Sequence, residues 1–171
     1  DIENVTGTLL DDILEGDSAA NILRGQTGND QLSGGGGADT IAAGDGNDTV
    51  EGGAGGDDLR GEGGVDTLSY AGSSAGVTVS LDVGTTIGGD AQGDVITGFE
   101  NLLGSSKSDF LIGSTLANLI EGSAGGDILL GGVGADTLDG GTGTDLAIYT
   151  TSNAGVTINL STNSASGGHA N

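Results

Sequence analysis

Aliphatic side chains recur along this sequence at a fixed interval. Leu14, Leu23, Leu32, Ile41, Val50, Leu59 and Leu68 stand nine residues apart, from Leu32 on each between small or polar neighbours. A window of one aliphatic flanked by two other residues is long enough only for a three-residue strand. The glycine-rich runs between these windows can take positive φ and turn tightly. A strict short period denotes stacked supersecondary units, none able to bury its apolar face until a neighbour covers it. Two strands and two turns close one coil, so residues two units apart lie above one another at roughly 4.8 Å, the spacing of neighbouring strands. The pattern predicts an all-β solenoid with a narrow aliphatic core.

The polar positions keep the same beat. From Gly25 to Ser69 the chain reads GQTGNDQLS, GGGGADTIA, AGDGNDTVE, GGAGGDDLR and GEGGVDTLS, and the sixth place of each unit is an acid: Asp30, Asp39, Asp48, Asp57 and Asp66. Stacking two units per coil sorts them into two columns, Asp12–Asp30–Asp48–Asp66 and Asn21–Asp39–Asp57. Carboxylates about 5 Å apart repel by about 1 kcal/mol per pair even at the dielectric of water, and by more near a protein surface. A positive charge is required between them. A hard divalent cation that takes six or more oxygens at about 2.3–2.6 Å suits a gap walled by two carboxylates and several loop carbonyls, which describes calcium; magnesium is too exacting about geometry for so open a cage.

The units resemble the calcium-binding nonapeptide of the repeats-in-toxin (RTX) family, G-G-x-G-x-D-x-U-x, where U is a large aliphatic. GGGGADTIA at 34–42 and GGVGADTLD at 131–139 satisfy every defined place, and AGDGNDTVE at 43–51 lacks only the first glycine. The resemblance implies a right-handed parallel β-roll with several calcium ions, each held between turns two units apart. The implied ion-holding turns carry Gly25, Gly34, Gly36, Gly44, Gly46, Gly53 and Gly55 with the first-roll aspartates. In a second roll they carry Gly131, Gly132 and Gly134 with Asp127, Asp136 and Asp145. It further implies a bacterial protein secreted through a type I export channel and folded outside the cell.

Composition narrows the partners. With 38 glycines and 2% aromatic residues, no thick core is expected. The net charge is −22, from 25 acids against three basic residues, Arg24, Arg60 and Lys107. Such a surface excludes nucleic acid and anionic membranes, which need a basic footprint. Self-repulsion and the cost of ordering glycine predict a chain that is disordered until ion binding supplies folding free energy. There is no cysteine, hence neither disulfide nor thiolate metal site. No signal peptide or membrane span is read, and a chain opening on Asp1 looks like a piece of something larger.

Taken in order, 1–24 reads as degenerate end coils of a first β-roll. They keep Asp12 and Asn21 but lose most turn glycines; Leu9, Leu10, Ile13 and Ile22 are expected to cover the open end. The calcium repeats fill 25–69. Residues 70–103, with the alternating strand VTVSL at 77–81, read as wider, metal-poor coils continuing the solenoid, against the competing reading of a flexible linker. A long duplication then begins: Asp12, Asn21, Asp30, Asp39 and Asp48 correspond to Asp109, Asn118, Asp127, Asp136 and Asp145, making 104–149 a second β-roll. Residues 150–171 begin a second connector, with VTINL at 156–160 echoing VTVSL. A site shared by Asn21 and Asp39 should be weaker than its neighbours, because an amide oxygen ligates calcium without contributing charge. Asp12 and Asp109 lie in degenerate turns, GTLLDD and GSSKSD, and Lys107 brings a positive charge to the second. Tyr70 and Tyr149, just past the last unit of each roll, are expected to cap the core.

Catalysis finds no support in these residues. One histidine, His169, cannot build a Ser-His-Asp triad, and the paired acids lack the distinct environments glycoside hydrolysis needs. The glycine turns carry aspartate where a phosphate cradle would carry lysine. The expected function is a non-enzymatic calcium-binding module that folds on export. Two rivals are a polysaccharide-binding module of an extracellular epimerase or lipase, and a repeat segment of a surface adhesin.

Overall fold

The computed structural model describes residues 2–150, together with the backbone strands Val156–Asn159 and Ser164–Gly167. It is a parallel β-solenoid, and nearly every step of its strand register is 18 residues. Asn4 pairs with Ile22, Ile22 with Thr40 and Thr40 with Asp58 on one face. On the other, Ile13 pairs with Gln31, Gln31 with Thr49 and Thr49 with Thr67.

One seven-stranded sheet runs through the whole described solenoid: Ile13–Glu15, Gln31–Gly36, Thr49–Ala54, Thr67–Ser69, Asn101–Leu103, Leu119–Glu121 and Thr137–Asp139. Opposite it lie two shorter sheets in succession. The first contains Asn4–Thr6, Ile22–Thr27, Thr40–Gly46, Asp58–Gly64 and Val95–Thr97; the second contains Thr85–Ile87, Thr78–Ser80, Phe110–Ile112, Ile128–Leu130 and Leu146–Ile148. The middle residue of each short strand points inward. Leu32, Val50, Leu68, Leu102 and Ile120 from the long sheet meet Leu23, Ile41 and Leu59, then Val79, Leu111 and Leu129, and all are buried. Each contributes on the order of 1.5–3 kcal/mol by leaving water, and none could do so without the coils on either side.

Residues 70–103 break the 18-residue step. Asp58 pairs with Val95, Thr67 with Asn101 and Thr78 with Phe110, so these coils are longer by an insertion that forms an antiparallel hairpin, Thr78–Ser80 against Thr85–Ile87. Tyr70, Val77, Ala91 and Phe99 are buried here and thicken the core locally. The insertion also exchanges the faces of the duplication. The strand after Asp12 belongs to the long sheet, whereas the strand after its counterpart Asp109 belongs to the opposite one.

The N-terminal aliphatics depart from expectation. Leu9, Leu10 and Ile13 are about 70% exposed. Leu9 and Leu10 sit at a turn tip, and Ile13 starts a strand whose inward residue is Leu14, so side-chain alternation sends Ile13 outward. They do not cover the core.

Candidate metal centres

Most of the turn aspartates are buried, not solvated. Asp30, Asp39, Asp48, Asp57, Asp66, Asp109 and Asp127 are each at most 3% exposed. They form two hydrogen-bonded ladders. In the column entering the long sheet, the backbone N–H of Asp12 donates to Oδ1 of Asp30 at 2.8 Å, that of Asp30 to Asp48 at 2.7 Å, and that of Asp48 to Asp66 at 2.9 Å. Opposite, Asn21 N–H donates to Asp39 and Asp39 N–H to Asp57, both at 2.8 Å. In the second roll the ladders continue as Asp109 to Asp127, Asp127 to Asp145 and Asn118 to Asp136. Each carboxylate thus spends one oxygen on the amide of the coil before it.

The second oxygen divides the turns into two kinds. In four of them the N–H of the second place donates to it, or to the single amide oxygen where asparagine replaces the acid: Thr8 to Asp12 at 2.6 Å, Asp17 to Asn21 at 2.8 Å, and Ser105 to Asp109 and Ser114 to Asn118 at 2.7 Å. In six others that oxygen is buried with no donor at all: Oδ2 of Asp30, Asp39, Asp48, Asp57, Asp66 and Asp127. The difference lies in one dihedral. The second places of these six turns, Gln26, Gly35, Gly44, Gly53, Glu62 and Ser123, have φ between +70° and +119°, which swings the amide away. Gly132 and Gly141, ahead of Asp136 and Asp145, share this conformation at +95° and +77°.

Close approach restricts several second and fourth places to glycine. A Cβ on Gly44, Gly53 or Gly132 would run into the carbonyl of Gln26, Gly35 or Ser114 in the preceding coil. At the fourth place, a Cβ on Gly46, Gly55 or Gly134 would strike the carbonyl of Gly28, Gly37 or Leu116. First-place glycines Gly25 and Gly34 back onto the donor-less oxygens of Asp30 and Asp39, and Gly131 backs onto Oδ2 of Asp136: a Cβ at Gly25 would meet Asp30 Oδ2 and the carbonyl of Ala43. At Gly122 the same comparison gives 2.5 Å to Asp127 Oδ2 and 2.9 Å to the Gly140 carbonyl oxygen. Gly36 has no such neighbour, since its Cβ would find only ordinary contact at 3.7 Å.

Carboxylate oxygens and carbonyl oxygens of adjacent coils therefore converge where the chain supplies no proton and no positive charge. Among the described residues the one ion pair, Arg60 with Asp58, lies on the surface; Lys107 is exposed and makes none. Among the described residues no three acidic or imidazole side chains converge either, so a cation here would take a carboxylate from each of two coils and complete its shell with backbone carbonyls. That donor set is all oxygen and mostly neutral, which fits a calcium ion.

Three stretches, 6–41, 33–68 and 112–147, match the model of the RTX calcium-binding nonapeptide repeat, and together they span more than half of the chain. The chain belongs to the RTX calcium-binding repeat family. A search of curated proteins returned no match. The RTX repeats explain the aspartate columns, and the fold is the parallel β-roll the repeat implies.

Burial sets the electrostatics of these RTX turns. Desolvation raises the carboxyls of Asp39, Asp48, Asp57 and Asp127 against the lowering effect of the amide each accepts. Asp66 is pushed up to about 6, first by burial, with Asp48 and Glu100 adding like-charge repulsion. Asp136 is half-buried and Asp145 exposed.

Two acids outside the repeats extend the ladders across the connector. Asp57 N–H donates to Asp94 Oδ1 at 3.0 Å, and Asp66 N–H to Glu100 Oε2 at 2.9 Å. The sequence did carry a signal for both: Ile96 follows Asp94, and Leu102 follows Glu100, by the same two residues that separate acid from aliphatic in every repeat. Tyr70, fully buried, donates its phenol to Asp94 Oδ2 at 2.9 Å, so this acid is satisfied without an ion. His169 lies outside the described residues.

Proposed function

We propose that this chain is a calcium-gated folding module of a secreted bacterial protein, with no catalysis of its own. Asp30–Asp48, Asp48–Asp66, Asp39–Asp57 and Asp127–Asp145 flank the principal ion positions, with loop carbonyls completing each shell. Asn21–Asp39, Asn118–Asp136, Asp12–Asp30 and Asp109–Asp127 are the weaker positions, because a second-place amide already occupies the oxygen an ion would use in the lower coil. The observation that carries the reading is the set of six buried carboxylate oxygens without a donor. A buried unsatisfied polar atom costs on the order of 1–3 kcal/mol, more when charged, and six of them on a chain of net charge −22 make the metal-free roll unfavourable.

In a calcium-poor cytosol the chain stays unfolded and can thread an export channel. Outside, at about millimolar calcium, ions fill the columns and the roll closes. Circular dichroism of the chain in chelator and in calcium tests this. A coil spectrum that becomes β-rich on calcium addition is expected; identical ordered spectra would refute it.

A further inference from the structure

The column entering the long sheet has one more ion-ready turn than it has repeats to pair. Asp66 is fully buried and its Oδ2 has no donor, because Glu62 at the second place has φ +70° and turns its amide away. The coil that stacks on it belongs to the connector, 34 residues on at Glu100 instead of 18. Asp66 and Glu100 are joined as two repeat acids are: Asp66 N–H donates to Glu100 Oε2 at 2.9 Å. The cradle is preserved too. A Cβ built on Gly61 would lie 2.7 Å from Asp66 Oδ2 and closer still to the carbonyl oxygen of Gly98, as one on Gly25 would meet Asp30 Oδ2 and Ala43.

In the repeats five residues separate that first-place carbonyl from its acid, as Ala43 from Asp48; here Gly98 and Glu100 are two apart. The longer side chain of glutamate spans what the shortened turn leaves open. We propose that a calcium ion binds between Asp66 and Glu100, with the Gly98 carbonyl as a further ligand, at a junction site the nonapeptide pattern does not mark. The other column differs at the same level. Its counterpart acid, Asp94, has both oxygens taken, by Asp57 N–H and the Tyr70 phenol, whereas Glu100 accepts one hydrogen bond on Oε2 and none on its other oxygen among the described residues. The ion ties the first roll to the connector, so the connector's first coil docks only when the column beneath it is filled.

The inference rests on the calcium reading of the repeats, and the test separates the two. Native mass spectrometry of the whole 171-residue chain counts calcium ions at the concentration that just saturates the wild type, beside Glu100→Gln. The variant keeps an oxygen for Asp66 N–H and loses the charge, so one ion fewer per chain is expected; an unchanged count overturns the junction site. A wild type that binds no calcium refutes the function reading itself. Should Glu100→Gln not fold, anomalous diffraction from wild-type crystals grown with terbium decides. A peak in contact with both Asp66 Oδ2 and the Gly98 carbonyl supports the site. A peak between Asp30 and Asp48 with none at the junction overturns it.

Discussion

Replacing Asp48 by asparagine changes stability in opposite directions with and without calcium. Asp48 sits between Asp30 and Asp66, accepting Asp30 N–H at 2.7 Å and donating its own amide to Asp66 at 2.9 Å. Its Oδ1 bond survives as an amide carbonyl, while the donor-less Oδ2 becomes an NH2 group facing acceptors. Each neighbouring carboxylate is roughly one strand spacing away, ~4.8 Å. At that separation two charges repel by about 1 kcal/mol in water and by roughly 3.5 kcal/mol at an effective dielectric of 20. Relief from two neighbours therefore stabilises the metal-free roll by about 2 kcal/mol or more.

With calcium the sign reverses, because Asp48 borders two of the proposed ion positions. An ion present at 100 times its dissociation constant stabilises by about 2.7 kcal/mol, so emptying both costs roughly 5 kcal/mol, or about 3 kcal/mol net of the relief gained in the metal-free roll. At about 2–4 °C per kcal/mol for a chain of this size, Tm falls by about 6–12 °C. Thermal melts of wild type and Asp48→Asn in chelator and in millimolar calcium measure both. If Asn lowered Tm equally in the two buffers, the carboxylate would matter only for its hydrogen bond, and the ion-column account would fail.

Acid should substitute in part for calcium. Burial raises the Asp66 and Asp94 carboxyls to about 6 in the folded roll, above the unfolded value near 4, so the folded state holds protons more tightly. Their contribution is fully present below about pH 4 and is lost as pH rises through about 6; in chelator, ellipticity should grow on acidification from pH 7, and no change would count against buried carboxyls. Gly44→Ala forces a side chain to φ +119° and into the Gln26 carbonyl. It should cost at least 1–2 kcal/mol, read as a lower Tm in calcium. Ser123→Gly removes the strain of φ +74° and should raise Tm in calcium by a few degrees. Tyr70→Phe strips the phenol from buried Asp94 and should destabilise by about 1–3 kcal/mol in urea titrations, with no change in the number of ions bound.

The period of nine was enough to specify an 18-residue coil, its inward aliphatics and two acid columns, because a solenoid repeats one local environment and each repeat answers to the same constraints. Turn chemistry was only partly legible. Gln26, Glu62 and Ser123 occupy the same left-handed place as Gly35 and Gly44, while Thr8 and Ser105 at that place keep their amides on the acid. Nothing in residue type alone separates Ser123 from Ser105, yet Ser123 Oγ donates to the Gly104 carbonyl of the coil beneath while Ser105 Oγ turns to Asp109. The connector lay beyond the pattern for a related reason. Asp94 and Glu100 join the columns only because coils of 37 and 34 residues bring them over Asp57 and Asp66, and those lengths also exchange the faces of the duplicated half. Within a repeat, spacing along the chain is spacing in the fold. Where the period breaks, that equivalence ends, and packing against the last regular coil decides which acid stands over which.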